Sequence, residues 1–302
     1  MSLSISEAAA KIRRGELVAF PTETVYGLGA NALDPAAVQK IFEMKGRPAT
    51  SPLIVHVASV EMAKTIVVEW PPLAEELARQ WWPGPLTLVL PKKNLVPDNV
   101  TAGLLTVGIR MPNHPLALAL IEEAGVPIAA PSANRFTGLS PTTLDHVRAA
   151  FGDAVPVLDG GPCTVGIEST VVAVEGDKLK LLRPGMIDLG EMEPMALDAA
   201  GAAHPSPGMH EKHYSPRTRL LLVHGPAELP DRTGAYVWRV ALGPAARGVR
   251  MPLDAAPYAG QLYRVLHQLD AENWPWIAVE MPPDAPDWAA IRDRLTRAAA
   301  ER

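Results

Sequence analysis

From the first residues to about Ile187, short apolar runs alternate with helically spaced apolar residues, and that alternation restricts the chain to an α/β fold. The helix starts are written in capping residues. Ser4 and Glu7 have capping-box spacing ahead of a helix running to Arg14, with Gly15 as its stop. Asp34-Pro35 is a cap followed by an N1 proline, and Val38, Ile41 and Phe42 follow at core spacing. Further helices are predicted around Val60 to Val67, Leu73 to Trp81 and Pro115 to Glu123, and one begins at Ser140-Pro141-Thr142. Between them, strands are predicted at Leu17 to Phe20, Leu53 to Val57, Leu86 to Leu90, Thr106 to Met111, Pro127 to Ala130 and Val155 to Leu158. Ser169 to Val174 and Lys178 to Arg183 read as a hairpin across Gly176-Asp177.

The texture changes from about Leu189 to Arg217, where alanine, proline and glycine dominate without core periodicity. This reads as a linker. Beyond it, strands at Leu220 to Val223, Ala235 to Val240 and Ile277 to Glu280 accompany helical stripes at Leu262, Val265, Leu266 and Leu269 and at Ile291 and Leu295. The predicted organisation is therefore a large α/β domain over 1–190, a linker over 191–217 and a smaller α/β domain over 218–302.

Composition removes several function classes. A net charge of −5 argues against a general nucleic-acid binder, which needs a basic face. One cysteine, Cys163, allows neither an internal disulfide nor a cysteine-rich zinc site. No signal-peptide pattern and no apolar run near 18 residues is present, so a cytoplasmic location without membrane association is expected. There is no G-x-x-x-x-G-K-[ST], no third glycine after Gly27-x-Gly29, no G-x-S-x-G and no H-E-x-x-H. His210 and His213 lack companion ligands for a metal, and none is expected on protein side chains.

What remains is polar residues at strand ends. Lys45-Gly46-Arg47-Pro48 places two cations one residue apart on a stiffened loop before Leu53 to Val57. Period-two alternation puts Leu53, Val55 and Val57 on one face and Ile54 and His56 on the other. Such a loop suits phosphates, with Arg as a planar fork and Lys as a point charge. On these residues alone a solvated basic turn is the favoured reading. Thr22 to Tyr26, Ser132 to Ser140 and Ser169 to Arg183 are further polar clusters. Converging on one hollow, they would suit an anionic, oxygen-rich ligand such as ATP.

The motifs Pro21-Thr-Glu-Thr-Val-Tyr-Gly-Leu-Gly29, Lys45-Gly-Arg-Pro48, Pro52-Leu-Ile-Val-His-Val57, Pro131-Ser-Ala-Asn134, Ser140-Pro-Thr142, Gly166-Ile-Glu-Ser-Thr170 and Arg183-Pro-Gly185 resemble the YrdC/YciO family, in order and across the first domain. The linker segments Ser206-Pro-Gly-Met209 and His213-Tyr-Ser-Pro216, with a trailing small domain, resemble its long, two-domain form. Over the last 85 residues only Leu262 to Asp270 and Asp293-Arg-Leu295 fit. The resemblance implies an open twisted mixed sheet with flanking helices, plus a smaller Rossmann-like C-terminal domain on an extended linker. It implies L-threonylcarbamoyladenylate synthesis from L-threonine, bicarbonate and ATP, with Mg2+ accompanying ATP. The product would pass to a tRNA threonylcarbamoyl transferase complex that modifies ANN-decoding tRNA.

By motif position, the resemblance assigns Lys45, Arg47 and Arg183 to the triphosphate, with Lys45 and Arg47 as the catalytic pair. Ser51, Thr106, Ser132, Asn134, Ser140 and Tyr214 would contact the nucleotide, Tyr214 as a lid. Thr24, His56, Arg110 and Ser169 would hold threonine. Two alternatives of other classes stand beside this. One is a double-stranded RNA-binding module, which the acidic charge opposes. The other is a hydrogenase-maturation-type carbamoyl transferase, whose related domain comes with cysteine-rich fingers that this chain lacks.

Overall fold

A computed structural model describes residues 3–190, 193–194 and 213–300. The motif Ser206 to Met209, His210 and most of the expected linker lie outside the described residues. The strands of the first domain are β1 (Val18–Phe20), β2 (Gly27–Asn31), β3 (Ile54–His56), β4 (Leu86–Pro91), β5 (Thr106–Arg110), β6 (Ile128–Ala129), β7 (Thr170–Glu175), β8 (Lys178–Arg183) and β9 (Glu193–Pro194). They join in the order β1-β2-β6-β3-β5-β4-β7-β8-β9. The sheet is mixed: β3–β5, β4–β7 and β8–β9 are parallel and the other pairs antiparallel. Its helices are α1 (Ile5–Arg13), α2 (Pro35–Lys45), α3 (Val60–Ile66), α4 (Pro72–Trp81), α5 (Asp98–Thr101), α6 (Pro115–Ala124) and α7 (Leu144–Phe151).

The two faces of this sheet have different fates. On one face Leu28, Val55, Leu88, Ile109 and Val172 join the main core with α2, α3, α4 and α7. On the other, α1 and α6 cover only the β1–β6 end, packing on Phe20, Ile128 and Ala130. The rest of that second face carries Ile54, Val89, Val171 and Leu182 as a small separate cluster, which among the described residues includes no helix residue, although Thr101 of α5 borders it. The predicted alternation holds: Leu53, Val55 and Val57 enter the main core, and Ile54 and His56 lie on the second face.

The second domain has an all-parallel sheet of β10 (Leu220–Val223), β11 (Ala235–Trp238), β12 (Arg247–Arg250) and β13 (Ile277–Glu280), ordered β10-β13-β11-β12. Helices α8 (Ala255–Ala271) and α9 (Ala289–Ala299) pack with it. This domain shares a core with the first: Val25, Leu139, Ile167 and Tyr214 cluster with Tyr258, Leu262 and Leu295. At the contact a Cβ on Gly166 would stand 2.4 Å from the Ala259 carbonyl oxygen, so only glycine allows α8 so close. His146 of α7 stacks on His267 of α8 with ring centroids 3.8 Å apart.

Several local expectations are corrected. The helix after Ser140 starts at Leu144 on a Thr143 cap, while residues 140–142 are buried outside it. Val155 to Leu158 makes one bridge, Val157 to Ala19, because Pro156 has no N–H to extend a ladder. Gly27–Asn31 is a strand rather than the end of a polar turn. A Cβ on Gly29 would stand 2.7 Å from the Phe20 ring, so the glycine answers packing rather than turning.

Candidate active site

Part of the second face of the large sheet forms one hollow with the loops around it. Strands β3 and β5 run parallel, with His56 and Arg110 as register partners at their ends. The loop after β1 brings Thr22 and Thr24, the segment after β6 brings Ser132, Ser169 precedes β7, and Arg183 ends β8. Arg47 arrives because Gly46 closes α2 in a left-handed C-cap with φ 64° and turns the chain inward. Tyr214 also lines the space, a partly open hollow with a cavity volume of about 50 Å³. Ligand sites of α/β sheets form at such strand ends.

One end of the hollow gathers a buried ion pair, two hydroxyls and an imidazole. Arg110 is buried, donates from Nη1 to Thr24 Oγ1 at 2.8 Å and from Nε to the Gly84 carbonyl at 3.2 Å. Its Nη2 lies 2.6 Å from Glu23, a buried ion pair. Thr22 Oγ1 lies 2.9 Å from Thr24 Oγ1 and donates to the Val25 carbonyl at 2.6 Å, which fixes the loop. Burial, with Arg110 adding repulsion, pulls the His56 pKa down to about 3, so the imidazole is neutral. Its Nδ1 has no hydrogen-bond partner and the ring lines the cavity.

The other end is cationic. Arg47 donates from Nη2 to Ser51 Oγ at 2.5 Å and to the Pro52 carbonyl at 3.1 Å. Its Nε has no partner, and it forms no salt bridge among the described residues. Burial pulls its pKa down to about 10, and Arg183 adds to that repulsion. Arg183 holds the Ser169 carbonyl through Nε and Nη2 at 3.1 and 3.0 Å and reaches Ser169 Oγ at 3.0 Å. Two desolvated guanidiniums that repel one another gain from any anion placed between them. The buried Tyr214 hydroxyl lines the same cavity without a partner, on a residue held at φ 59°.

Of the sequence-predicted residues, Thr24, Arg47, His56, Arg110, Ser132, Ser169, Arg183 and Tyr214 line this cavity. Thr106 shares the face, since β5 alternation aligns it with Gly108 and Arg110. It lies in a neighbouring hollow that shares Ile54 with the first and is floored by Val89, Gly108 and Val171. Four other residues singled out in the sequence lie off this cavity. Lys45 is not on the cavity: it is 3% exposed, and its Nζ donates to the carbonyls of Ser132 and Asn134 at 2.6 and 2.5 Å. Burial and the charges of Arg47 and Arg135 hold its pKa well below the usual lysine value. Ser51 props Arg47 instead of lining the hollow. The Asn134 side chain spends its amide on the Arg135 and Gly138 carbonyls at 2.7 and 2.9 Å and faces a groove between the domains. Ser140 is fully buried, donating from Oγ to Glu168 at 2.5 Å.

Sequence reading left Glu23 and Glu168 without roles. Glu168 lines the cavity and accepts from Ser140, from the Tyr263 hydroxyl at 3.1 Å and from Arg294 Nε at 2.8 Å. Burial opposes its charge, but Arg294 and Arg183 hold its pKa below the usual glutamate value. Among the described residues no group of three His, Cys, Asp or Glu converges to hold a metal ion. Both nearby carboxylates already have cationic or hydroxyl partners.

Comparison with known proteins accounts for this layout. A family model described as "Telomere recombination", Sua5_yciO_yrdC, matches residues 10–185, more than half of the chain. The chain belongs to the Sua5/YciO/YrdC family. A second model, the C-terminal domain of threonylcarbamoyl-AMP synthase, matches residues 178–300. The threonylcarbamoyl-AMP synthase of Bacillus subtilis is 41% identical over 99% of this chain and 93% of its own length. That of Pyrococcus abyssi is 49% identical over 73% of this chain and 68% of its own. The crystal structure of P. abyssi Sua5 complexed with L-threonine superposes with TM-score 0.90 at 39% identity, covering 98% of this chain and 94% of that one. The family's two-domain architecture is thus present throughout. E. coli YciO, at 22% identity and TM-score 0.52, shares the fold of the first domain.

Proposed function

We propose that the hollow binds ATP beside L-threonine and that the protein is a threonylcarbamoyl-AMP synthase. The observation that carries this is the convergence of Arg47, Arg110 and Arg183 on one cavity with a neutral His56. Arg110, held flat by Thr24 and Glu23, is placed for the threonine carboxylate. His56 Nδ1 and the hydroxyls of Thr24 and Ser169 are placed for threonine's polar groups. Arg47 and Arg183 take the phosphates, with Ser132 beside them. The apolar strip of Ile54, Gly108, Val89 and Val171, ending at Thr106, suits the flat face of a base.

The chemistry follows from that placement. The threonine amine adds to the carbon of bicarbonate, and water leaves to give a carbamate. A carbamate oxygen then attacks the α-phosphorus, and the bond to pyrophosphate breaks. The three guanidiniums offset the mutual repulsion of carboxylate, carbamate and triphosphate, and their fixed geometry aligns the attack. Tyr214, buried over the cavity, excludes water from a mixed anhydride prone to hydrolysis. Mg2+ arriving with ATP would supply charge neutralisation on the phosphates. The donor set here fits a cation carried by ATP and water rather than by a carboxylate cage.

The cell-level reading is that the product feeds a threonylcarbamoyl transfer to ANN-decoding tRNA in the cytoplasm. None of the described helices is long and apolar enough to cross a membrane, and the one cysteine is a buried free thiol. Pyrophosphate release tests the enzyme: it should require ATP, threonine and bicarbonate together. Release at an equal rate without threonine would make the protein a plain ATPase and contradict the proposal.

A further inference from the structure

We infer that Arg294, from the C-terminal domain, is a positioning residue that sets the nucleotide side of the hollow. It stands on α9, is 1% exposed and spends its guanidinium in three directions. Nε donates to Glu168 at 2.8 Å, Nη2 donates to the Pro184 carbonyl at 3.0 Å and Nη1 donates to Asp293 at 2.6 Å. Its carbon lies 5.2 Å from the centre of the Tyr214 ring.

The targets explain the consequence. Glu168 is the residue before Ser169, and Pro184 the residue after Arg183. Ser169 and Arg183 are themselves joined by three hydrogen bonds. One guanidinium therefore holds both flanks of the Ser169–Arg183 pair and one face of Tyr214. Tyr263 of α8 supports the same carboxylate at 3.1 Å. Arg110, at the threonine end, shows no such dependence: it is held by Thr24, Glu23 and Gly84, all from the first domain. The second domain thus acts on the Arg183 wall, reaching the threonine side only through Ser169, and leaves Thr24, His56 and Arg110 to the first.

This inference rests on the nucleotide reading above, so the test reads binding rather than turnover. Mg-ATP and L-threonine are titrated separately by calorimetry into the full-length protein, its Arg294→Met and Arg294→Lys variants, and the double variant Glu168→Gln/Arg294→Met. The double variant removes both members of the buried ion pair, which avoids stranding a lone buried charge. The expected result is an ATP dissociation constant raised at least fivefold in both Met-containing variants, with the threonine constant changed less than threefold. Lys, which reaches Glu168 but cannot fork to Pro184, should lie between. An ATP constant raised less than fivefold in the double variant would overturn the inference while leaving the nucleotide reading intact. Equal losses for both ligands would also overturn it, because they mark a merely structural residue. Failure of the unaltered protein to bind ATP would overturn both.

Discussion

Arg47 and Lys45 stand two residues apart and do different work. Arg47 lines the cavity with an unpartnered Nε, whereas Lys45 ties down the carbonyls of Ser132 and Asn134. Arg47→Ala should lower pyrophosphate release at least about a hundredfold, the scale of losing a group aimed at developing charge. Its circular dichroism should stay native. Lys45→Ala should instead destabilise, because two buried carbonyls lose charge-assisted partners. At ~1.5–3 kcal/mol per such bond, a loss of about 3 kcal/mol in urea unfolding is expected. A Lys45→Ala protein of unchanged urea midpoint would show that the ammonium serves a ligand rather than the loop. Burial of both cations excludes the solvated basic turn that the sequence also allows.

At the scale of elements, the contact between α8 and the loop before β7 decides whether the second domain is held in place. Gly166→Ala should strain a backbone at φ +82° and push a methyl into the Ala259 carbonyl, 2.4 Å from its ideal position. The expected result is earlier urea unfolding and weaker ATP binding, since Glu168 lies two residues on. Unchanged stability would mean that α8 yields freely. Elements with local punctuation were readable in sequence. Helix α2 has its Asp34 cap, N1 proline and Gly46 stop, and β3 has strict alternation. Strand β2 was missed because its glycines answer the Phe20 ring, and β12 because an edge strand reading Arg-Gly-Val-Arg has little apolar signal. The strand-end residues that line the hollow stand within motifs visible in the sequence. The Glu168–Arg294 pair was not, because its partners lie 126 residues apart and meet only through domain docking.

At the scale of the whole molecule, acid should loosen the protein. Burial pulls His56 down to about 3; it does the same for His146, with His267 and Arg264 adding repulsion. His114 and His267 are also lowered by burial. Unfolded histidines protonate near pH 6.5, whereas these native ones stay neutral well below that. Between about pH 6.5 and pH 3 the unfolded chain binds more protons, so stability falls as pH falls. The His146–His267 stack lies between the domains, where two imidazoliums would face each other. The urea midpoint should therefore drop between about pH 7.5 and about pH 5, and a flat or rising midpoint would contradict the buried neutral state.

The central claim is that one hollow brings threonine, bicarbonate and ATP together for carbamate adenylation. Mass spectrometry of the protein incubated with Mg-ATP, L-threonine and 13C-bicarbonate tests it most directly. The account predicts threonylcarbamoyl-AMP carrying the heavy carbon, lost when any one substrate is omitted and lost in Arg47→Ala. An adenylate of threonine itself, formed without bicarbonate and without the label, would contradict it.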